Sequence, residues 1–556
     1  MKNTMNRHMK QAIASVILST ALLSECGGAL PGVTDASAEA AGSVAAVQTI
    51  STEGLFSDRD MKQGYEAADA VAVQLDGSTA TCASDAVRID GGQITLLNEG
   101  VYVFSGTLDN GQIIVNADST DKVQIVLGGA DITSASSAAI YCLQADKVFL
   151  TMAAGSENAL SNGGTFTQID DNEIDAVVYA KTDLTLNGTG SLTVNSPAGH
   201  GVVSKDELTI TGGTFVVNAT GHGFAGKDSV AVADGCLVIV SGKDGIHAEH
   251  EEDAAKGFIY IAGGSLTIDA HGDALSASGD LQIDGGCFEL TTGGGSAAMV
   301  ASTGNSNAVV AASAGDSATA LLVSTGRLAS GNRGSSVPRK SSTQASAASD
   351  TESCKGIKAG GALTVNGGTF VLDTADDAVH AGGNVTITGG EWVICTGDDA
   401  IHADAAVVIQ AGNFSIPTCY EGVEGQSVTI GGGTLDITAS DDGINAAGGN
   451  DGSGTGFGFG RQDQFAADGS CVILINGGMI TIVSDGDSID SNGSLTVNGG
   501  TLKLTCNGNG NTAIDTNGAF THNRGSITTN DGSESGSSMG RGRGAMSGAK
   551  SSGRKK

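Results

Sequence analysis

Proline is nearly missing from this chain, with 4 residues in 556, and charge is scarce at 16% of residues. Ordinary domains carry roughly 5% Pro and 25% charge. Glycine is the opposite case, with 86 residues, and so much Gly with so little Pro would fit a flexible linker. Yet 40% of residues are hydrophobic, and Val, Ile and Leu recur in short runs, so a core exists and disorder throughout is excluded. Collagen is excluded too, because the Gly has no three-residue period. Basic residues are the second shortage: 28 Lys and Arg stand against 61 Asp and Glu, a formal net charge of −33. Such a chain repels the phosphate backbone, which excludes nucleic acid as a partner. An acidic polymer could be held only with a cation as bridge. Aromatics are 4%, with one Trp.

Closely spaced cysteines are also missing. The ten Cys are widely scattered without a CxxC, so neither zinc-site spacing nor the disulfide framework of a small secreted domain is present. The nine beyond Cys26 read mostly as small buried apolar side chains. No later segment has the 18 apolar residues of a membrane span. At the start, Lys2, Arg7 and Lys10 precede the apolar run Gln11 to Leu23, a bacterial secretory signal assigned to residues 1–26. Leu22-Leu23-Ser24-Glu25-Cys26 resembles a lipobox, although Glu25 stands where a small residue is usual. The expectation is a protein outside the bacterium or at its surface, meeting the membrane only through a lipid on Cys26.

What is abundant is repetition. Leu208-Thr-Ile-Thr-Gly-Gly-Thr-Phe recurs as Leu281-Gln-Ile-Asp-Gly-Gly-Cys-Phe, Leu363-Thr-Val-Asn-Gly-Gly-Thr-Phe, Val385-Thr-Ile-Thr-Gly-Gly-Glu-Trp and Leu495-Thr-Val-Asn-Gly-Gly-Thr-Leu. First positions fall at 184, 208, 230, 259, 281, 363, 385, 407, 428, 473 and 495, a period of about 22 residues. Each unit alternates apolar and polar residues on both sides of the Gly pair, so it supplies short strands around a tight turn. One unit cannot bury its apolar side alone, and translation of neighbours pairs equivalent strands in parallel. No unit has a helical period, and a propeller blade needs roughly 40 residues. The fold predicted is all-β: a right-handed parallel β-helix, three faces per coil, since parallel crossovers are nearly always right-handed. About thirteen coils would make a rod roughly 60 Å long. The expected organisation is an N-terminal linker and irregular segment at 27–84, coils at 85–292, a low-complexity insertion at 293–353, coils at 354–529, and a basic tail at 530–556. Insertion and tail read as disordered. Shorter insertions fall at His247 to Lys256 and at Gly448 to Asp468, the latter with Phe457, Phe459 and Arg461.

A second line recurs about eight residues after each Gly pair: Lys243-Asp244-Gly-Ile-His247, Gly272-Asp273-Ala-Leu-Ser276, Asp376-Asp377-Ala-Val-His380, Asp398-Asp399-Ala-Ile-His402, Tyr420-Glu421-Gly-Val-Glu424, Asp441-Asp442-Gly-Ile-Asn445 and Gly486-Asp487-Ser-Ile-Asp490. Carboxylates so stacked repel by about 3 kcal/mol per pair at 5 Å and an effective dielectric near 20. The ladder needs protons, turn N–H donors or a cation, and an oxygen-rich column suits Ca²⁺. The candidate metal ligands are therefore Asp244, Asp273, Asp376, Asp377, Asp398, Asp399, Glu421, Asp441, Asp442, Asp487 and Asp490. The competing explanation is that Asp simply hydrogen-bonds nearby turn N–H groups. Alternation turns Asp377 inward with Val379 and leaves Asp376 and His380 toward solvent. His380 and His402 become neighbours beside Asp376 and Asp398, a second candidate metal site or else a solvated ladder. No carbohydrate-contacting residue is singled out. Trp392, Phe370 and Phe414 hold equivalent positions and read as core rather than as a row of sugar-stacking rings.

The series Gly155-Ser-Glu-Asn158, Asp183-Leu-Thr-Leu, His200-Gly, Ser204-Lys-Asp-Glu-Leu-Thr-Ile, Gly226-Lys-Asp228 and Lys243-Asp-Gly-Ile resembles the clostridial carbohydrate-binding β-helix family of exported proteins. The resemblance covers residues 85–290 and, through the repeat alone, 355–520. It implies a right-handed parallel β-helix carrying Ca²⁺, a non-catalytic role, and cellulose and polygalacturonate as ligands. A monomer is expected. An enzyme on the same fold stays open, because polygalacturonases resemble this chain in using paired Asp and Gly-His-Gly. Here Asp376-Asp377, Asp398-Asp399, Gly199-His200-Gly201 and Gly221-His222-Gly223 occur, but in reversed order and without Arg-Ile-Lys. A lyase would need a strong base, and the stretch 376–445 has no Lys or Arg. A surface adhesin or structural spike is the third class.

Overall fold

The computed structural model describes residues 49–297, 353–447 and 469–535. The signal segment with Cys26, the basic residues of the long insertion, Phe457, Phe459, Arg461 and the basic tail lie outside them. Within them the chain is a parallel β-helix of three faces, and one coil shows the plan. Leu363–Val365 lies on the first face, Thr369–Thr374 on the second and Val379–Ala381 on the third. Each pairs in parallel with its successor, Leu363 opposite Val385, Phe370 opposite Trp392 and Val379 opposite Ile401. On the first face thirteen strands follow one another from Lys147–Met152 to Phe520–His522. No helix among the described residues is long and apolar enough to cross a membrane.

The Gly pair makes the corner between first and second faces. Gly368 has φ +123°, and a Cβ there would meet the Phe370 ring at 3.0 Å and the Gly286 carbonyl at 3.1 Å, so only Gly fits. Beyond the corner, alternation sends Phe288, Phe370, Trp392 and Phe414 inward, where their rings stack at centroid distances of 4.7, 3.7 and 5.6 Å. All four are buried, as their shared repeat position predicts. The cysteines divide: Cys142, Cys419, Cys471 and Cys506 are buried, whereas Cys82, Cys236, Cys287, Cys354 and Cys395 are half-buried. The expectation that most would be core is therefore not met: Cys236 and Cys287 sit at strand starts beside the Gly turns, and Cys395 is on the outward side of its strand.

Residues 70–82, assigned from the sequence to an irregular segment, already belong to the solenoid. Ala70–Gly77 pairs in parallel with Gly100–Leu108 and folds back on Thr79–Cys82 as an antiparallel cap. Ahead of it the chain runs along the outside of the first face. Asp60 is buried there against Lys147 at 2.9 Å and Thr185 Oγ1 at 2.5 Å. Further along, Gln63 Nε2 donates to the Thr211 carbonyl, Phe56 meets Tyr260, and the Ile50 N–H donates to Gln282. This strap covers the polar outer residues Thr151, Thr185 and Asn187, which are buried as a result.

Candidate functional site: the polar corner of the solenoid

Where each coil turns from the second to the third face, one backbone N–H per coil has to find an acceptor in the coil before it. The file at this position runs His200, His222, Asp244, Asp273, Lys355, Asp377, Asp399, Glu421, Asp442, Asp487 and Thr512, and its His and Asp members supply the acceptors, whereas the Lys355 ammonium has none to offer. His200 Nδ1 accepts from His222 N–H at 2.8 Å, and His222 Nδ1 from Asp244 at 3.1 Å. Asp244 Oδ1 accepts from Asp273 at 2.9 Å, and Asp273 Oδ1 from Lys355 at 2.7 Å. Asp377 Oδ1 then accepts from Asp399 at 3.1 Å, and Asp399 Oδ1 from Glu421 at 3.1 Å. Asp442 Oδ1 accepts from Asp487 at 2.6 Å, and Asp487 from Thr512. A buried unpaired N–H costs about 1–3 kcal/mol, so the acidic line has a structural duty in nearly every coil.

Three residues further on, a second file points outward from the third face: His247, Ser276, Lys358, His380, His402, Glu424, Asn445 and Asp490, each opposite the next. Between them the two files divide the expected ligand column into a part neutralised by the chain and a part that is not. Asp244 lies 2.7 Å from His247 Nδ1 and 3.4 Å from His222 Nδ1. Asp273 is held by Lys358 at 3.1 Å and by Ser353 Oγ at 2.7 Å. Lys355 Nζ lies 2.5 Å from Asp377 and 2.9 Å from Asp376. Burial opposes the Lys355 charge, but Asp377 and Asp376 hold its ammonium above the ordinary value. Burial likewise opposes the Asp377 charge, and the His380 hydrogen bond and Lys355 hold that carboxyl well below the usual range. Asp398 comes together with Asp376 and Asp377.

His380 and His402 do stack, with ring centroids 4.9 Å apart. His402, however, is fully buried rather than solvated, because its neighbours on the file close over it. Its partners are Asp399 at 3.2 Å and Glu424 at 3.0 Å through Nδ1, with Asp404 at 3.4 Å from Nε2, in place of the Asp398 expected. Burial opposes the imidazolium, yet the hydrogen bonds to Asp399 and Glu424 raise its pKa to about 11.

Beyond His402 neither file carries another cationic side chain among the described residues. Among the described residues no Lys, Arg or His is paired with Glu421, Asp442 or Asp487. Burial, then Asp399, Glu424 and Asp442, pushes Glu421 well above the carboxylate range. Burial, then Asp441 and Asp490, pushes Asp442 up to about 8, and burial pushes Asp487 up to about 6. Asn445 Nδ2 donates to Glu421 at 3.0 Å while its buried Oδ1 has no donor at all. Asp487 and Asp490 come together with Asp515, which the sequence pattern had not included. An unpaired amide oxygen among buried carboxylates fits a hard cation, which takes oxygen ligands alone. Asp442, Asn445, Glu421, Asp487 and Asp490 are the residues that would hold it.

Two features escaped the pattern. The coil Cys354-Lys355-Gly-Ile-Lys358 carries Lys where its neighbours carry acid, although its Gly-Ile-x-Ala frame was there to align. His200 and His222 continue the acidic file with a different residue type, their rings stacked 4.8 Å apart and His222 stacked in turn at 4.2 Å on His247 of the outward file.

The fold and its carboxylate-lined corner place the chain in the class of parallel β-solenoid proteins. The family model described as carbohydrate-binding domain-containing protein matches residues 90–400 and 398–552, and the chain belongs to that family. A stretch of 131 residues is 35% identical to a carbohydrate-binding domain-containing protein of Acetivibrio thermocellus, covering 23% of this chain and 46% of that relative. The chain thus matches somewhat under half of that relative's length. A solved structure of a polysaccharide lyase-like protein from C. thermocellum, a gadolinium derivative, is similar at 32% identity and a TM-score of 0.40, over 40% of this chain and 92% of the other.

Proposed function

We propose that this is an exported, non-catalytic protein that holds acidic plant polysaccharide, such as polygalacturonate, and also cellulose, with Ca²⁺ on the C-terminal part of the polar corner. The reading rests on one observation: among the described residues Glu421, Asp442 and Asp487 are stacked without a cationic partner beside the unpaired Asn445 oxygen. When bound, Ca²⁺ supplies positive charge to an edge that would otherwise repel a polyanion. The residues themselves fix the backbone of each coil and present the oxygens.

A binding role is further supported by what the corner keeps apart. His222 and Asp377 stand on the same file with Asp244, Asp273 and Lys355 between, four coils or about 19 Å apart at the usual strand spacing. Paired Asp and Gly-His-Gly therefore do not converge on one glycosidic bond. Lys355, the lysine nearest the dense Asp coils, is buried and held protonated by two carboxylates, so it is a poor base for β-elimination.

The test is retention on insoluble polygalacturonate and on cellulose, with millimolar Ca²⁺ or with chelator, while unsaturated products and reducing ends are followed. Retention on polygalacturonate is expected to fall at least tenfold in chelator, with no product released. Product release would establish an enzyme instead, and failure to bind any polysaccharide would leave the adhesin or structural reading.

A further inference from the structure

The third face carries, in its N-terminal half, a basic cleft that the acidic corner does not use. Its outward file reads Tyr179, Val203, Ala225, His247 in register. Two small side chains between two large ones leave a trough, a cleft of about 230 Å³. Pockets for drug-sized ligands run from about 300 Å³ upward, so this one is the size of a single sugar unit rather than a chain.

The rims of the trough are the two corners. On one side stand His200, His222 and Lys243; on the other, Lys205 and Lys227. Lys205 and Lys227 hold the same place in adjacent coils, since Lys205 N–H donates to the Ala180 carbonyl and Lys227 N–H to that of Ser204. Their stems are thus about 4.8 Å apart along the rod. Among the described residues Lys62, Lys122, Lys147, Lys256, Lys355 and Lys358 all lie within 4.0 Å of a carboxylate. Lys181, Lys205, Lys227, Lys243 and Lys503 have no such ion pair, and of these Lys205, Lys227 and Lys243 line the cleft, all three exposed. In a chain with a net charge of −33, three ammonium groups without counter-ions converge on one cleft.

The imidazoles add directed donors. Because His200 Nδ1 and His222 Nδ1 each accept a backbone N–H, the neutral rings carry their proton on Nε2. His200 Nε2 has only a distant partner, Asp175 at 3.6 Å. Glu249, an acid on the rim, is engaged by His247 Nε2 at 3.2 Å.

We propose that this cleft binds one uronate unit of an acidic polysaccharide directly and without metal, its carboxylate between Lys205 and Lys227 and its ring over Ala225. The proposal rests on the acidic-polysaccharide reading above, but uses a different part of the rod. It is tested by calorimetric titration of trigalacturonate into the full chain in the presence of chelator. Weak, salt-sensitive binding is expected, at least tenfold weaker in Lys205→Gln/Lys227→Gln and lost with the fully methyl-esterified trimer. Lys122→Gln/Lys503→Gln, which changes net charge equally far from the cleft, should stay within twofold of the parent. No binding in chelator, or equal loss in both double variants, overturns the cleft. If the polymer is still retained with Ca²⁺ in that case, only the cleft falls. If neither trimer nor polymer binds under any condition, the acidic-polysaccharide reading falls with it.

Discussion

At the scale of single residues, the second-to-third corner asks for a hydrogen-bond acceptor just where the next coil presents its N–H, and Asp and His both satisfy that demand. The same requirement leaves carboxylates stacked in a dry file, so each must find a proton or a cation. Asp377 finds Lys355; Asp442 finds no cation among the described residues and holds a proton instead, its pKa pushed up to about 8 from an ordinary 3.8. A carboxyl with a raised folded-state pKa contributes stability that is complete below its unfolded value and is lost as pH rises through the folded one. His402, raised to about 11 from 6.5, acts in the same direction. His222, held by burial near 3, acts oppositely, but its window closes at 6.5, above which it is neutral folded or unfolded. Calcium-free protein should therefore lose melting temperature between pH 6.5 and 8.5. Asp442→Asn keeps an acceptor for the Asp487 N–H and should flatten part of that loss. Added Ca²⁺ should restore more at pH 8.5 than at 6.5, because cation and proton compete for the same oxygens. Thermal melts across that range check all three outcomes, and a melting temperature indifferent to pH and Ca²⁺ would contradict them.

At the scale of elements, the first-face strands could be placed in register from the sequence alone. The first positions 184, 208, 230, 259, 281, 363, 385, 407, 428, 473 and 495 all stand opposite one another. That was legible because the Gly pair has a steric reason to recur and strand alternation fixes which side chains face in. The charge balance of the site was less so. Lys355 stands in the acidic file and Lys358 in the outward one by position, not by residue type, and a pattern of carboxylates passes over them. The strap at 49–66 was equally hidden, since its partners Lys147, Thr185 and Thr211 lie 85 or more positions away. Where the register was legible, consequences follow for the core. Trp392 stacks between Phe370 and Phe414. Trp392→Ala should cost about 3–5 kcal/mol, whereas Trp392→Phe, which copies both neighbours, should cost less than about 1.5 kcal/mol. Denaturant midpoints distinguish the two, and an equal loss for both variants would mean that the stack is not continuous.

At the scale of the whole molecule, a rod with a net charge of −33 cannot attract a polyanion unaided. Among the described residues, the cations that reach the polar corner are spent in the middle coils, on Asp273, Asp376 and Asp377, or gathered on the N-terminal cleft. The C-terminal coils are left as the place for an added one. The most direct measurement is calorimetric titration of Ca²⁺ into chelator-treated protein, its Asp442→Asn/Asp487→Asn variant and its Asp377→Asn variant. Saturable binding by the parent is predicted, at least tenfold weaker in Asp442→Asn/Asp487→Asn and unchanged in Asp377→Asn, whose carboxylate already holds Lys355. Absence of binding by the parent, or loss through Asp377 with Asp442 and Asp487 indifferent, would contradict the assignment.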